Sequence, residues 1–239
     1  MTDDDGARRA SIAVRLAAVR GRIARAEEAA GRGPGSVRLL LATKIQPVEL
    51  VRAAVAAGAD LVGENRVQEL VAKGPDLADR DVEVHLIGHL QANKVNQALR
   101  WATCVESVDS LALARRLSQR CEAADRDLDV LVQVNVSGET TKFGVVPGDA
   151  EALAVVVAAL PRLRLRGFMT IGARSTDEGV VRAGFARLRE VRDAVVGSRA
   201  PGTAGATGLS MGMSGDLELA VAEGSTIVRI GTAVFGARG

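Results

Sequence analysis

The sequence predicts a single TIM (β/α)8 barrel with an extra N-terminal helix, on three observations. Eight short apolar runs alternate with helical patterns along the chain. The runs are nearly continuous rather than alternating, as parallel strands covered on both faces require. A length of 239 residues accommodates eight such units around one core.

Residues 7–30 read as the leading helix, Ala- and Arg-rich, closed by Gly31 and Gly33-Pro34. With its lead-in to residue 36 it is expected to pack on a barrel spanning 37–239, one domain overall. Strands are expected near 37–43 (VRLLLAT), 60–63 (DLVG), 82–87 (VEVHLI), 103–108 (TCVESV), 129–135 (DVLVQVN), 163–171 (LRLRGFMTI), 206–211 (ATGLSM) and 226–230 (TIVRI). Helices are expected near 47–57, 64–73, 90–100, 109–124, 148–160, 177–197 and 215–223. Pro47 opens the first of these, Asn65 is a candidate cap of the second, and Ser214-Gly215 leads into the last. The stretch 200–208 (APGTAGATG) reads as a loop.

Composition excludes several functions. A net charge of +2 with 25% charged residues is well mixed, and aromatics are 2% of the chain with no Tyr at all. Nucleic-acid binding by a basic, aromatic-lined surface is therefore not expected. No apolar run approaches a membrane span, and MTDDDGARRA carries no signal-peptide core. Cys104 and Cys121 lack CxxC or zinc-like spacing, so a reduced, cytoplasmic setting is expected. His85 and His89, four apart but split by Gly88, do not form a helical zinc pair, and no metal is expected.

In a barrel, function sits where strands end. The first strand ends at Lys44, and the chain has only four lysines (44, 73, 94 and 142) against 27 arginines. An amine kept at a strand end can do what guanidinium cannot, namely condense with a carbonyl. A snorkelling strand-end lysine explains the position equally well. At the far end of the chain, SMGMSGD and RIGTAVFG bring Ser214, Gly231 and Thr232 to the ends of strands seven and eight, where TIM barrels commonly hold phosphate. Closure makes strands one and eight neighbours, so a phosphorylated aldehyde or ketone would bridge the two.

ATKIQP, GENRVQE, HLIGHLQANK, QVNVSGETTKFG, GFMTI, LSMGMSGDLELAVAEGST and VRIGTAVFG, in that order from residue 37 onward, resemble the pyridoxal phosphate homeostasis protein family. That resemblance implies a barrel similar to the N-terminal domain of alanine racemase, with pyridoxal 5′-phosphate (PLP) as cofactor. It implies that Lys44 holds PLP as an internal aldimine, that Ser214, Gly231 and Thr232 bind its phosphate, and that Arg229 faces its pyridine nitrogen. Asn65 and His85 match pocket-lining positions. The family's commoner SKTKP pattern is TKIQP here, so Gln46 stands in place of a second lysine. A role in PLP supply and buffering follows, with PLP-dependent apoenzymes as recipients and a monomeric state. Efficient turnover is not expected: alanine racemase uses a tyrosine as its second base, this chain has none, and it ends shortly after GTAVFG. The rivals are a PLP-dependent amino-acid racemase and a Schiff-base aldolase acting on phosphorylated sugars.

Overall fold

The computed structural model describes the backbone of residues 3–236 and the side chains of residues 10–236. Eight strands, β1 (Arg38–Ala42), β2 (Leu61–Glu64), β3 (Glu83–Leu86), β4 (Cys104–Val108), β5 (Leu128–Gln133), β6 (Leu163–Met169), β7 (Gly208–Ser210) and β8 (Ile227–Ile230), pair in parallel in chain order. β8 closes on β1, with Leu40 opposite Arg229. The barrel expected from the alternating pattern is therefore present. All eight expected strands are found, within a few residues at their ends.

Around the barrel run α2 (Val48–Ala56), α3 (Val67–Leu77), α4 (Val95–Ala98), α5 (Leu111–Ala123), α6 (Pro147–Ala158), α7 (Glu178–Gly197) and α8 (Leu217–Ala222). The leading helix α1 (Asp3–Ala29) packs against α2, α8 and a one-turn helix α9 (Thr232–Phe235). It begins earlier than residue 7 because three aspartates suit a helix N-terminus. Gly31, at φ +65°, stops it.

Three expectations need correction. The second barrel helix starts at Val67 with Arg66 as its N-cap, so Asn65 caps nothing. The helix expected over 90–100 is a 3-10 turn, Ala92–Lys94, followed by α4, which buries only Val95 and Ala98. So short a segment has little helical stability of its own and takes the shape its contacts dictate. Ser214 and Gly215 lie in a turn, and α8 begins at Leu217. There the Asp216 carboxylate accepts the Met213 N–H at 2.5 Å, which holds the preceding residues out of the helix.

Most apolar burial lies between strands and helices, where Leu41, Val62, Leu86, Val105, Val130 and Phe168 meet the helical faces. Trp101 packs flat on Gly74 of α3, where a Cβ would sit 2.2 Å from the indole. Inside the barrel, Leu40, Leu61 and Ile87 form one small cluster and Cys104, Leu131 and Met169 another. Buried with them are the polar side chains of His85, Glu106, Ser210 and Arg229, and that is where the candidate site begins.

Candidate cofactor cleft

A cleft of about 840 Å³ opens at the C-terminal ends of β1, β7 and β8. Lys44, Gln46, Ser214, Arg229, Gly231 and Thr232 line it together, although Lys44 and the last four lie far apart in the sequence. Closing the barrel through the β1–β8 pairing makes them neighbours. Helix α1 adds Ser11, Ile12 and Arg15 to the wall. Its role beside the cleft was not legible in the sequence.

Lys44 follows β1 in a tight turn. Thr43 before it faces outward and is fully buried, so Lys44 projects on the cleft side. The lysine is exposed rather than buried at the core mouth. Among the described residues its Nζ has no hydrogen-bond partner, whereas Lys73 and Lys142 are both bonded. Facing it, the backbone N–H groups of Ser214, Gly215 and Thr232 have no acceptor among the described residues. Such a cluster of free N–H groups in turn conformation suits a phosphate. Helix α1 fixes this loop: Arg22 donates to the Ser214 carbonyl at 2.7 Å and forks onto both oxygens of Glu218. Partnership with Glu218 raises the Arg22 pKa and lowers that of Glu218.

Gly231 approaches β1 closely, and a Cβ there would sit 2.9 Å from the Ala42 carbonyl oxygen. Gly231→Val is therefore expected to weaken PLP binding more than Thr232→Ala does. Loss of the Thr232 hydroxyl should cost roughly 1–2 kcal/mol, or about tenfold, because such seats hold phosphate mainly through backbone N–H groups. Titration of PLP into both variants checks the order, and equal or reversed losses count against it.

Arg229 reaches the cleft floor from a buried network. Its Nη1 donates to Ser210 Oγ at 2.8 Å and its Nη2 to the Thr170 carbonyl at 2.6 Å. Ser210 donates in turn to Glu106 Oε2 at 2.6 Å, and Glu106 Oε1 lies 2.7 Å from His85 Nδ1. Because β4 and β7 are not adjacent, the Ser210–Glu106 bond crosses the barrel interior. His85, Glu106, Ser210 and Arg229 are all buried. Burial lowers the Arg229 pKa, although nearby Glu106 and Asp216 oppose this. Burial would raise Glu106, but His85, Arg229 and Ser210 together outweigh it and hold the carboxyl below its ordinary range. Burial would also lower His85, yet Glu106 and Glu83 prevail and its pKa is raised.

His85 is thus not part of the cleft lining; it connects to Arg229 through Glu106 and Ser210. Asn65 does not line the cleft either. It stands at the end of β2 with its backbone pressed on Gly88, where a Cβ would meet the Asn65 oxygen at 2.0 Å. Its Oδ1 is buried without a partner, an unmet acceptor at the barrel mouth. Glu106 is not legible in the sequence, because TCVESV reads as one apolar strand. A carboxylate inside such a run was the available signal. His89 stacks on Phe143 with ring centroids 3.9 Å apart. In QVNVSGETTKFG, Asn135 Nδ2 donates to the Glu139 and Lys142 carbonyls and closes the loop.

The family model for the alanine racemase N-terminal domain matches residues 14–239. A pyridoxal phosphate homeostasis protein of Pseudomonas aeruginosa is 46% identical over 228 residues, covering 95% of this chain and 96% of that protein. The crystal structure of an unknown protein from Bifidobacterium adolescentis is similar at a TM-score of 0.93 and 45% identity, with 98% and 97% of the two chains covered. PipY of Synechococcus elongatus, solved with PLP bound, gives a TM-score of 0.81 at 37% identity over 94% of this chain and all of PipY. On near-full-length similarity of this order, carried on a closed barrel, the chain belongs to the pyridoxal phosphate homeostasis protein family.

Proposed function

We propose that this protein binds PLP in the cleft and serves its supply and buffering rather than its catalytic use. The observation that carries the proposal is the meeting of Lys44 with the unbonded N–H groups of Ser214 and Thr232 across one cleft. When bound, PLP supplies an aldehyde able to condense with a primary amine, releasing one water, and a phosphate that backbone N–H groups can hold. Lys44 offers the amine; Ser214, Gly231 and Thr232 form the phosphate seat. Arg229, held in place by Ser210 and Thr170, would face the pyridine nitrogen of bound PLP. Asn65 offers its unmet acceptor at the mouth, and His85 acts through Glu106 and Ser210. PipY, a relative solved with PLP bound, supports PLP as the ligand.

A carrier fits better than a racemase. Racemisation needs a base on each face of the substrate carbon. Lys44 could serve one face, but the sequence has no tyrosine to serve the other. The Arg229 guanidinium, already bonded to Ser210 and Thr170, would be a poor proton donor to the ring nitrogen of bound PLP. PLP-dependent apoenzymes are the proposed recipients, and the protein acts as a monomer in the cytoplasm. Its two cysteines, buried and unpaired, fit a reducing compartment. No helix among the described residues is long and apolar enough to cross a membrane.

Alpha-proton exchange of alanine in deuterated water, followed with the PLP-loaded protein, tests the distinction. Exchange well below about 1 per second is expected. A rate near or above that, at the low end of ordinary enzymes, would establish the racemase instead.

A further inference from the structure

The turn that carries Lys44 is held from behind by an ion cluster outside the cleft. Lys73, on α3, buries its ammonium between α3 and the ends of β1 and β2. It donates to the Thr43 carbonyl at 2.7 Å, to Glu64 Oε1 at 2.7 Å and to Glu69 Oε2 at 3.2 Å. Three N–H donors meet three acceptors, a match that a planar guanidinium could not reproduce. Glu64 Oε1 also accepts the Thr43 hydroxyl at 2.6 Å, and Glu69 Oε2 accepts the Ile45 N–H at 2.6 Å. Both peptide neighbours of Lys44 are therefore anchored by the same cluster.

Ile45 shows what the anchoring maintains. It is β-branched, exposed, and held at φ +66°. That conformation costs roughly 1–3 kcal/mol for such a residue and persists only where surrounding contacts impose it. The Glu69 bond to its N–H is one such contact; the Gln46 N–H, which donates to the Thr43 carbonyl at 3.0 Å, is another. Stability alone does not account for the cluster. A buried ion group is generally no better than apolar packing of equal volume, and Glu64 Oε2 is left buried without a partner. Apolar packing, however, cannot grip the Thr43 carbonyl and the Ile45 N–H.

We propose that Glu69 and Lys73, with Glu64 behind them, are positioning residues that hold the Thr43–Lys44–Ile45 turn so that the Lys44 amine enters the cleft at the reacting distance. The proposal rests on the assignment of Lys44 as the amine that joins PLP. Misplacement of a reacting group by about 1 Å can cost on the order of a hundredfold in rate. The positioning role is therefore expected in the covalent step and not in affinity for the phosphate.

The test compares wild type, Glu69→Leu and the conservative Glu69→Gln, which keeps an acceptor oxygen for Ile45. Three readings are taken: the rate at which added PLP acquires the protein-bound visible band, the affinity for 4-deoxypyridoxine 5′-phosphate, which lacks the aldehyde, and hydrogen exchange at the Ile45 amide without ligand. Glu69→Leu should form the band about tenfold or more slowly, bind the analogue within about twofold of wild type, and lose protection at Ile45. Glu69→Gln should recover most of the rate and the protection. A wild-type rate in Glu69→Leu, an analogue affinity falling in step with the rate, or unchanged exchange at Ile45 overturns the proposal alone. A wild type that forms no Lys44 adduct overturns the PLP assignment and this proposal together.

Discussion

Lys44→Ala is expected to abolish the visible absorption that PLP gains on joining a protein amine, while changing stability by no more than about 0.5 kcal/mol. The first half follows from geometry: of the four lysines, Lys44 is the one that lines the cleft with Ser214, Gly231 and Thr232. Lys73 is committed to Glu64, Glu69 and Thr43, and Lys142 to Glu139 and the Gly172 carbonyl. The second half follows from exposure, since the Lys44 side chain makes no hydrogen bond among the described residues and packs into no core. The proposed phosphate seat is untouched by the change, so weak binding of PLP without the shifted, protein-linked band should remain. A variant that keeps the visible band, or that loses several degrees of Tm, would show that Lys44 has another role.

The second large effect is expected at Glu106, on stability. This carboxylate is fully buried and is the one anion bonded between His85 and the Ser210–Arg229 pair. Glu106→Leu removes the buried counter-charge that His85 and Arg229 share and leaves them only Glu83 and Asp216 nearby. Removing one partner of a buried ion group typically costs about 3–5 kcal/mol, here a fall in Tm of roughly 10 °C. Glu106→Gln, which keeps hydrogen bonding to His85 and Ser210, should cost less. The same network sets a pH signature. The raised His85 pKa contributes stability fully below its ordinary value of 6.5, and this is lost as pH climbs through the folded value. The lowered Glu106 pKa contributes stability above its ordinary value of 4.5, and this is lost as pH falls through the folded value. Stability should therefore be greatest between those two values and decline on each side. His85→Gln should flatten the alkaline decline, and an unchanged slope in that variant would separate His85 from the effect.

The barrel was legible because its signal is repetitive. Eight apolar runs at regular spacing leave few alternative topologies, and errors of a few residues at their ends do not alter the order of strands. The cleft was legible for a related reason. Once β8 is known to close on β1, the first lysine and the last two glycine-containing loops must meet. Side-chain direction was harder to read. His85 sits in the barrel interior beside Glu106, and nothing local to HLIGH distinguishes an inward histidine bonded to a carboxylate from one that faces the cleft.

The scarcity of lysine marks two positions rather than one. It drew attention to Lys44, but Lys73 is also placed where a compact ammonium is required, with three acceptors around it. That role depends on Thr43, Glu64 and Glu69 converging in space, which no spacing in the sequence announces. The turn at Ser214 was misassigned to a helix for a similar reason. One side-chain bond, from the Met213 N–H to Asp216, decides the matter, and propensity does not register it.

The central claim, that Lys44 is the amine joined to PLP in the cleft, is tested most directly by borohydride reduction of the PLP-loaded protein followed by peptide mapping. Reduction makes the linkage permanent and identifies the residue that carries it. The pyridoxyl group is expected on the peptide containing Lys44, at close to one per chain and without labelling of Lys73, Lys94 or Lys142. A stable label confined to one of those three lysines, with Lys44 unmodified, would contradict it.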